Sequence, residues 1–211
     1  MQLNETWETY LKKKGVHFIR FVDISSLPEE ATGDYTCAVL FGKVLTREYL
    51  QDIKDGNKPA RHEFGNTERR MDTLASRLSE KLTSEGYKSI SRLKFARLSH
   101  KTIARMAGFG FIGKNTLMVS EEYGCAAVLG KVLTTAPFIA TYAQPIEPQC
   151  GDCNICVDAC PTKALSGNPW NITIRREEML VRKLCIPCLM CMVSCPYTKK
   201  YMEGNCRSIT H

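Results

Sequence analysis

CGDCNICVDACP, Cys150 to Pro161, and CIPCLMCMVSCP, Cys185 to Pro196, carry one spacing twice, C-x2-C-x2-C-x3-C-P. These two runs take eight of the eleven cysteines in the 211-residue chain. The opening MQLNETWETYLKKKG has acids and no apolar core, so it does not read as a secretory leader. No apolar run approaches the ~20 residues of a membrane span. The expected location is therefore the cytoplasm, with no membrane partner. In that reducing compartment clustered cysteines signal metal more often than disulfides.

The repeated spacing is the bacterial ferredoxin pattern for 4Fe-4S clusters. Three cysteines two residues apart, in a tight loop, can wrap one cuboidal cluster. The fourth, starting the next helix, points elsewhere, and in two-cluster ferredoxins it serves the other cluster. The expected ligand sets are thus Cys150, Cys153, Cys156 and Cys195 for one cluster, and Cys185, Cys188, Cys191 and Cys160 for the second. Each cluster would tie the two halves of a small domain together and replace the core that so few residues can hardly supply. Zinc also accepts Cys-x2-Cys pairs, but neither zinc nor unliganded core thiols account for three-plus-one spacing with a trailing proline occurring twice. Cys37 and Cys125 sit in apolar, strand-like segments and read as buried, inert thiols, whereas Cys206 lies in a polar tail.

Composition, 44% hydrophobic and 24% charged, is that of a globular protein, here expected as two unequal domains. The formal charge is +7. Two clusters would bring it to roughly +3, which says little about partners. Lys12 to Lys14 and Arg69 with Arg70 lie on helices that read as solvated, and no aromatic RNA-reading motif accompanies them.

Apolar spacing predicts a helix around Trp7 to Leu11, a strand over Val16 to Asp23 and a more buried strand over Cys37 to Gly42. Met71, Leu74, Ala75, Leu78 and Leu82 line one side of a long helix ended near Gly86. Another helix is expected from about His100 to Ala107, capped by Ser99. TLMVS and CAAVLGKVLTT, separated by the turn EEYG, read as two antiparallel strands. Pro137, Pro145 and Pro148 mark a connector, placing the boundary near residue 145 between a domain of residues 1–145 and a cysteine domain of residues 146–211.

GFGFIG, Gly108 to Gly113, matches G-x-G-x-x-G, but a dinucleotide site needs a strand before it and a helix after it. Here a helix precedes and a strand follows, and no acid lies at the distance needed for a ribose. The glycines read instead as a tight turn admitting close approach of a ligand or a neighbouring segment, or simply as a helix cap leading into a hairpin.

Taken with the double cysteine motif, HKTIARMAGFGFIGKNTLMVSEEYG resembles the epoxyqueuosine reductase family, over roughly Leu98 to Tyr197. The resemblance implies an α/β (α+β) chain, with a nitroreductase-like N-terminal domain holding cobalamin and a ferredoxin-like module with two 4Fe-4S clusters. It further implies electrons passed through the clusters to a cobalt centre, with Gly108, Gly110, Gly113, Lys114 and Asn115 lining the corrin site. Two departures stand out. The helical-repeat domain with which the family's full-length enzymes help hold tRNA has no counterpart here, and the position of the family's proton-donating aspartate falls on Lys94. The nearby glutamate falls on His100, which becomes a candidate proton donor because imidazole titrates near neutrality; Tyr123 and Lys101 are further candidates.

The expected function is an iron-sulfur oxidoreductase acting on a small-molecule or tRNA-borne substrate, with ferredoxin or flavodoxin as electron donor. The alternatives are a carrier that moves electrons or corrinoid with no turnover of its own, and a reductase holding FMN in place of cobalamin.

Overall fold

The computed structural model describes residues 2–59, 61–91 and 98–204. Lys94 and Cys206 lie outside them. In chain order the first elements are α1 (Gln2–Lys13), β1 (Phe18–Asp23), α2 (Glu29–Thr32), β2 (Cys37–Val44), α3 (Arg47–Lys54), α4 (Glu63–Ser84) and β3 (Ser89–Ile90). Then follow α5 (His100–Met106), β4 (Phe111–Ile112), β5 (Met118–Val119) and β6 (Ala127–Thr134). The cysteine-rich part adds α6 (Ile155–Asp158), α7 (Arg176–Met179), α8 (Met190–Val193) and α9 (Pro196–Met202). The chain is thus mixed α/β with small sheets, one of four strands in the order β1-β2-β6-β3 and one hairpin, β4-β5. Among the described residues no helix is long and apolar enough to cross a membrane.

Two compact units share the chain, and neither is one continuous stretch. One comprises residues 1–44, 63–108 and 128–144, the other residues 45–62, 109–127 and 145–211. A single boundary at 145 matches the last crossing only. Residues 45–62 and 109–127, which that boundary assigns to the N-terminal domain, pack with the cysteine-rich tail.

In the first unit β2 supplies the centre. Cys37 to Gly42 are all buried, a near-continuous apolar run of the kind that sits between neighbours on both faces. It pairs antiparallel with β1, Phe18 opposite Gly42 and Phe21 opposite Val39. Aromatic rings lie close over this sheet. A Cβ on Gly42 would meet Phe18 Cζ at 2.3 Å and the Val128 carbonyl at 2.6 Å, so only glycine fits there. Helix α4 buries Met71, Leu74, Ala75, Leu78 and Leu82, the three-and-four spacing of one apolar stripe, and the chain leaves it through Gly86 at φ +93°. Ser99 caps α5 through its hydroxyl, which accepts from the Thr102 N–H at 3.0 Å.

One expected pairing differs. TLMVS does not pair across EEYG with the following strand as a two-stranded unit; only Ser120 and Gly124 bridge there. Met118–Val119 instead pairs back with Phe111–Ile112. The reason is an earlier turn, closed by Gly113 N–H to the Leu117 carbonyl at 3.0 Å and Thr116 N–H to the Gly113 carbonyl at 2.8 Å. β6, buried almost throughout, is taken into the interior of the larger sheet.

Leu78 is fully buried in this stripe. Leu78→Ala is expected to cost about 2–5 kcal/mol, as truncation of a core leucine does, read from the urea midpoint by circular dichroism. A loss below about 1 kcal/mol would mean that the stripe is not packed as described.

Candidate functional site

The first cysteine run begins in a turn closed by Cys153 N–H to the Cys150 carbonyl at 2.9 Å, with Gly151 at φ +47°. Asn154 precedes α6, which carries Cys156. Cys150, Cys153 and Cys156 line one cavity of about 220 Å³, and the fourth sulfur in its wall comes from Cys195, in the other run. Cys195 stands immediately before α9, where Pro196 takes the first helical position and needs no N–H partner.

Cys160 has the reverse placement. It is buried with Ala164, Leu165 and Leu180, and Cys185 and Cys191 pack against that small core. Its sulfur accepts the Ala164 N–H at 3.3 Å. A short ribbon joins the two runs: Leu165 bridges Leu180, Val181 N–H reaches the Ala164 carbonyl at 2.8 Å, and Ser166 N–H reaches that of Met179 at 3.0 Å.

The sulfurs also crowd one another electrostatically, within and across the two sets. Burial, reinforced by Cys195, Cys150 and Cys153, pushes the Cys156 thiol up to about 11. Burial again, with Cys188, Cys156, Cys185 and Cys160, pushes Cys191 up to about 12. So many thiols in so little space can be thiolates together only around a cationic centre. Among the described residues no three His, Cys, Asp or Glu side chains converge as on a single metal ion. Four sulfurs around a cavity suit a cage instead. The donor set therefore fits iron-sulfur clusters.

The glycine turn belongs to this same unit except at its start. Gly108, at φ +60°, closes α5 and has Ala143 and the Gln144 carbonyl beside it. A Cβ on Gly110 would meet the Val119 carbonyl oxygen at 2.1 Å, and one on Gly113 would meet Asn115 Oδ1 at 2.8 Å. The hairpin's own atoms thus account for both glycines. Lys114 and Asn115 are buried at its tip, in the wall of the first cavity. Lys114 donates its backbone N–H to the Cys150 sulfur and its Nζ to Asn154 Oδ1 at 3.0 Å. Asn115 Nδ2 donates to the Cys191 carbonyl at 3.1 Å and to Cys125 Sγ at 3.3 Å, while its Oδ1 accepts from Leu117 N–H. One amide therefore ties the second cysteine run to Cys125.

The sequence reads Cys125 as a buried, inert thiol; it is buried, but it touches Cys195 in the wall of the cysteine cavity. Its N–H donates to Thr198 Oγ1 at 2.9 Å and its thiol hydrogen-bonds the Cys195 sulfur. That hydrogen bond, with N–H groups of Thr198 and Tyr197, holds Cys195 below the usual thiol range despite burial. Gly124 admits this contact, since a Cβ there would lie 2.3 Å from the Thr198 nitrogen. Nothing in the local spacing signals it, because the partner is seventy residues away.

His100 belongs to the other unit, as the first residue of α5. Burial first, then the charge of Lys131, lowers it to about 4; Asp72 opposes and Lys101 adds to the lowering. Lys131 itself is buried and donates to the Leu98 carbonyl. Tyr123 stacks on Phe109 and meets Tyr201 edge-on in the cysteine-bearing unit.

No family profile matches the chain. It is 38% identical over 100 residues to the epoxyqueuosine reductase of Staphylococcus aureus, covering 47% of this chain and 25% of that enzyme. With the epoxyqueuosine reductase of Listeria monocytogenes it shares 33% over 138 residues, 65% of this chain and 31% of that one. The chain thus spans a quarter to about a third of these relatives' length. Its fold matches a crystal structure of epoxyqueuosine reductase with an epoxyqueuosine-modified tRNA stem loop, at TM-score 0.59 and 22% identity over 94% of this chain and 66% of that one. It also matches the catabolic reductive dehalogenase NpRdhA, at TM-score 0.61 and 14% identity, over 92% of this chain and 32% of that one.

A half-buried histidine held neutral makes the fold sensitive to acid. The unfolded chain, with an ordinary imidazole near 6.5, takes up its proton first, so this part of the stability is present above pH 6.5 and is lost as pH falls towards 4. Between pH 7 and pH 5 the loss is about 2 kcal/mol in the urea unfolding free energy. His100→Gln is expected to lose less over that interval; an equal loss would show that His100 is not the group responsible.

Proposed function

We propose that this chain, a relative of the epoxyqueuosine reductases, is an iron-sulfur oxidoreductase with the ligand sets Cys150, Cys153, Cys156, Cys195 and Cys185, Cys188, Cys191, Cys160. When bound, two 4Fe-4S clusters supply one-electron transfer, and cobalamin, the acceptor implied by the relatives, supplies a strongly reducing cobalt centre. The reading is supported by one observation above all: each run sends its fourth cysteine to the other's set. In this reading the cysteine-bearing unit is the ferredoxin-like module, the sheet-bearing unit is the nitroreductase-like domain, and the protein works in the cytoplasm. A tRNA-borne or small-molecule substrate follows the same likeness.

The chain's own residues set the surroundings of the cysteines. Lys114 N–H and the Cys125 thiol hydrogen-bond sulfurs of the first set, and such bonds favour the reduced, more negative state of a cluster. Asn115 fixes the Cys191 backbone relative to Cys125. Tyr197 holds Gln149 through its hydroxyl at 2.8 Å and packs edge-on against Phe111, and all three line the first cavity.

For cobalamin the fit is weaker. Gly110 and Gly113 face the atoms of their own hairpin rather than an open surface, and Lys114 and Asn115 are engaged with the cysteine runs. Those positions, with Gly108, are corrin-lining residues by likeness alone. This observation favours, as a second reading, a carrier that moves electrons to a partner's cofactor; FMN would be the other acceptor within this chain.

Anaerobically reconstituted protein should hold about eight iron and eight sulfide per chain. Cys195→Ala should disturb the EPR signal of one cluster and Cys160→Ala that of the other. Zinc in place of iron and sulfide would overturn the assignment. Titration with cob(II)alamin separates the readings: a changed cobalt EPR signal supports the enzyme, and an unchanged one supports the carrier. Cys125→Ala should lower the potential of the first cluster and leave the second in place, measured by EPR-monitored redox titration; equal potentials would show that the thiol contributes nothing.

A further inference from the structure

We propose that the surface around Cys185 and Cys188 is the docking face for a small, acidic one-electron carrier protein, an inference that rests on the cluster reading above. Three sulfurs of the second set, Cys185, Cys188 and Cys191, are only partly buried, against Cys150 and Cys153 of the first. Residues 181–187 form an exposed loop around Cys185. Of the seven large hydrophobic side chains that are exposed among the described residues, Val181, Leu184 and Ile186 fall within six positions here. Such a concentration of apolar surface is rare outside a binding site.

The rim of this patch is basic. Arg182 and Lys183 are exposed within the loop. Beside it, Cys188 and Leu189 form one side of an open groove of about 470 Å³, whose other side carries Lys58, Arg61 and His62 from the segment after α3. No acid lies between Leu180 and Met190, whereas Asp152 and Asp158 flank the first set with no base between Cys150 and Cys160. The two runs therefore carry opposite local charge, and an acidic carrier is drawn to the second run. An apolar centre with a charged rim is the usual anatomy of a docking site, and transient redox partners use small interfaces of this kind. Complementary charge raises the encounter rate more than the affinity, which suits a partner that must leave after each transfer.

The transfer is simple in balance. The reduced carrier loses one electron, the second cluster gains it, and no bond or proton moves.

The experiment uses the cluster-loaded protein and photoreduced flavodoxin as probe, with cluster bleaching followed by stopped flow. The second-order rate should fall as salt is raised and should drop at least ~10-fold at low salt in Lys58→Glu/Arg61→Glu. Ile186→Glu should slow it independently. Reduction by dithionite, which needs no docking, should be unchanged in every variant. An unchanged flavodoxin rate in the variants, or an equal loss with dithionite, would overturn the docking face while leaving the clusters intact. Absence of iron and sulfide from the anaerobically reconstituted wild-type protein would overturn the cluster reading and this proposal with it. Dimerisation abolished by Ile186→Glu with flavodoxin reduction unaffected, or a tRNA stem loop displaced by the charge reversal with no change in reduction, would assign the face to a second copy or to RNA instead.

Discussion

The exchange of one cysteine between two runs is the constraint on which the cysteine-bearing unit depends. Cys195 closes the first cavity and Cys160 lies with the second run, so neither sulfur set is complete without the other. The apolar core between the runs is small, chiefly Ala164, Leu165 and Leu180 with Cys160. In the cluster reading proposed above, sulfur ligation substitutes for hydrophobic burial here, in the way metals stabilise domains too small to hold themselves together.

Around that crossing the chain places buried polar groups that are satisfied by one another. Asn115 uses its two donors on separate partners and its oxygen on the Leu117 N–H, and Lys114 shares its charge with Asn154 beside Cys153. Buried polar groups of this kind are costly unless paired, and once paired they hold a single arrangement. The hairpin tip is thus a clamp on the cysteine loops. Its glycines are small because strand β5 lies against them.

Much of this architecture was legible from local pattern. The buried strand at Cys37 to Gly42, the α4 stripe and the Ser99 cap follow from side-chain periodicity and one hydroxyl, each set by residues a few positions apart. The glycine turn was read correctly as helix, turn, strand. The partner of TLMVS was not, because the choice between two apolar neighbours was made by the Gly113–Leu117 turn and by the sheet that takes in β6. Nor could His100 be judged from the chain alone: its neutral state comes from burial and from Lys131, thirty-one residues away.

By itself the sequence singled out eight cysteines in two like runs and led to the expectation that each run lends its fourth sulfur to the other, because a three-plus-one spacing leaves that sulfur out of reach of its own loop. Only the tertiary structure decided what surrounds them. Cys125 became a hydrogen-bonding neighbour of Cys195, and Lys114 and Asn115 became walls of the cysteine cavity, through contacts between segments tens of residues apart. Spacing encodes what a loop can reach, whereas the environment of a sulfur is set by whichever distant segment packs against it.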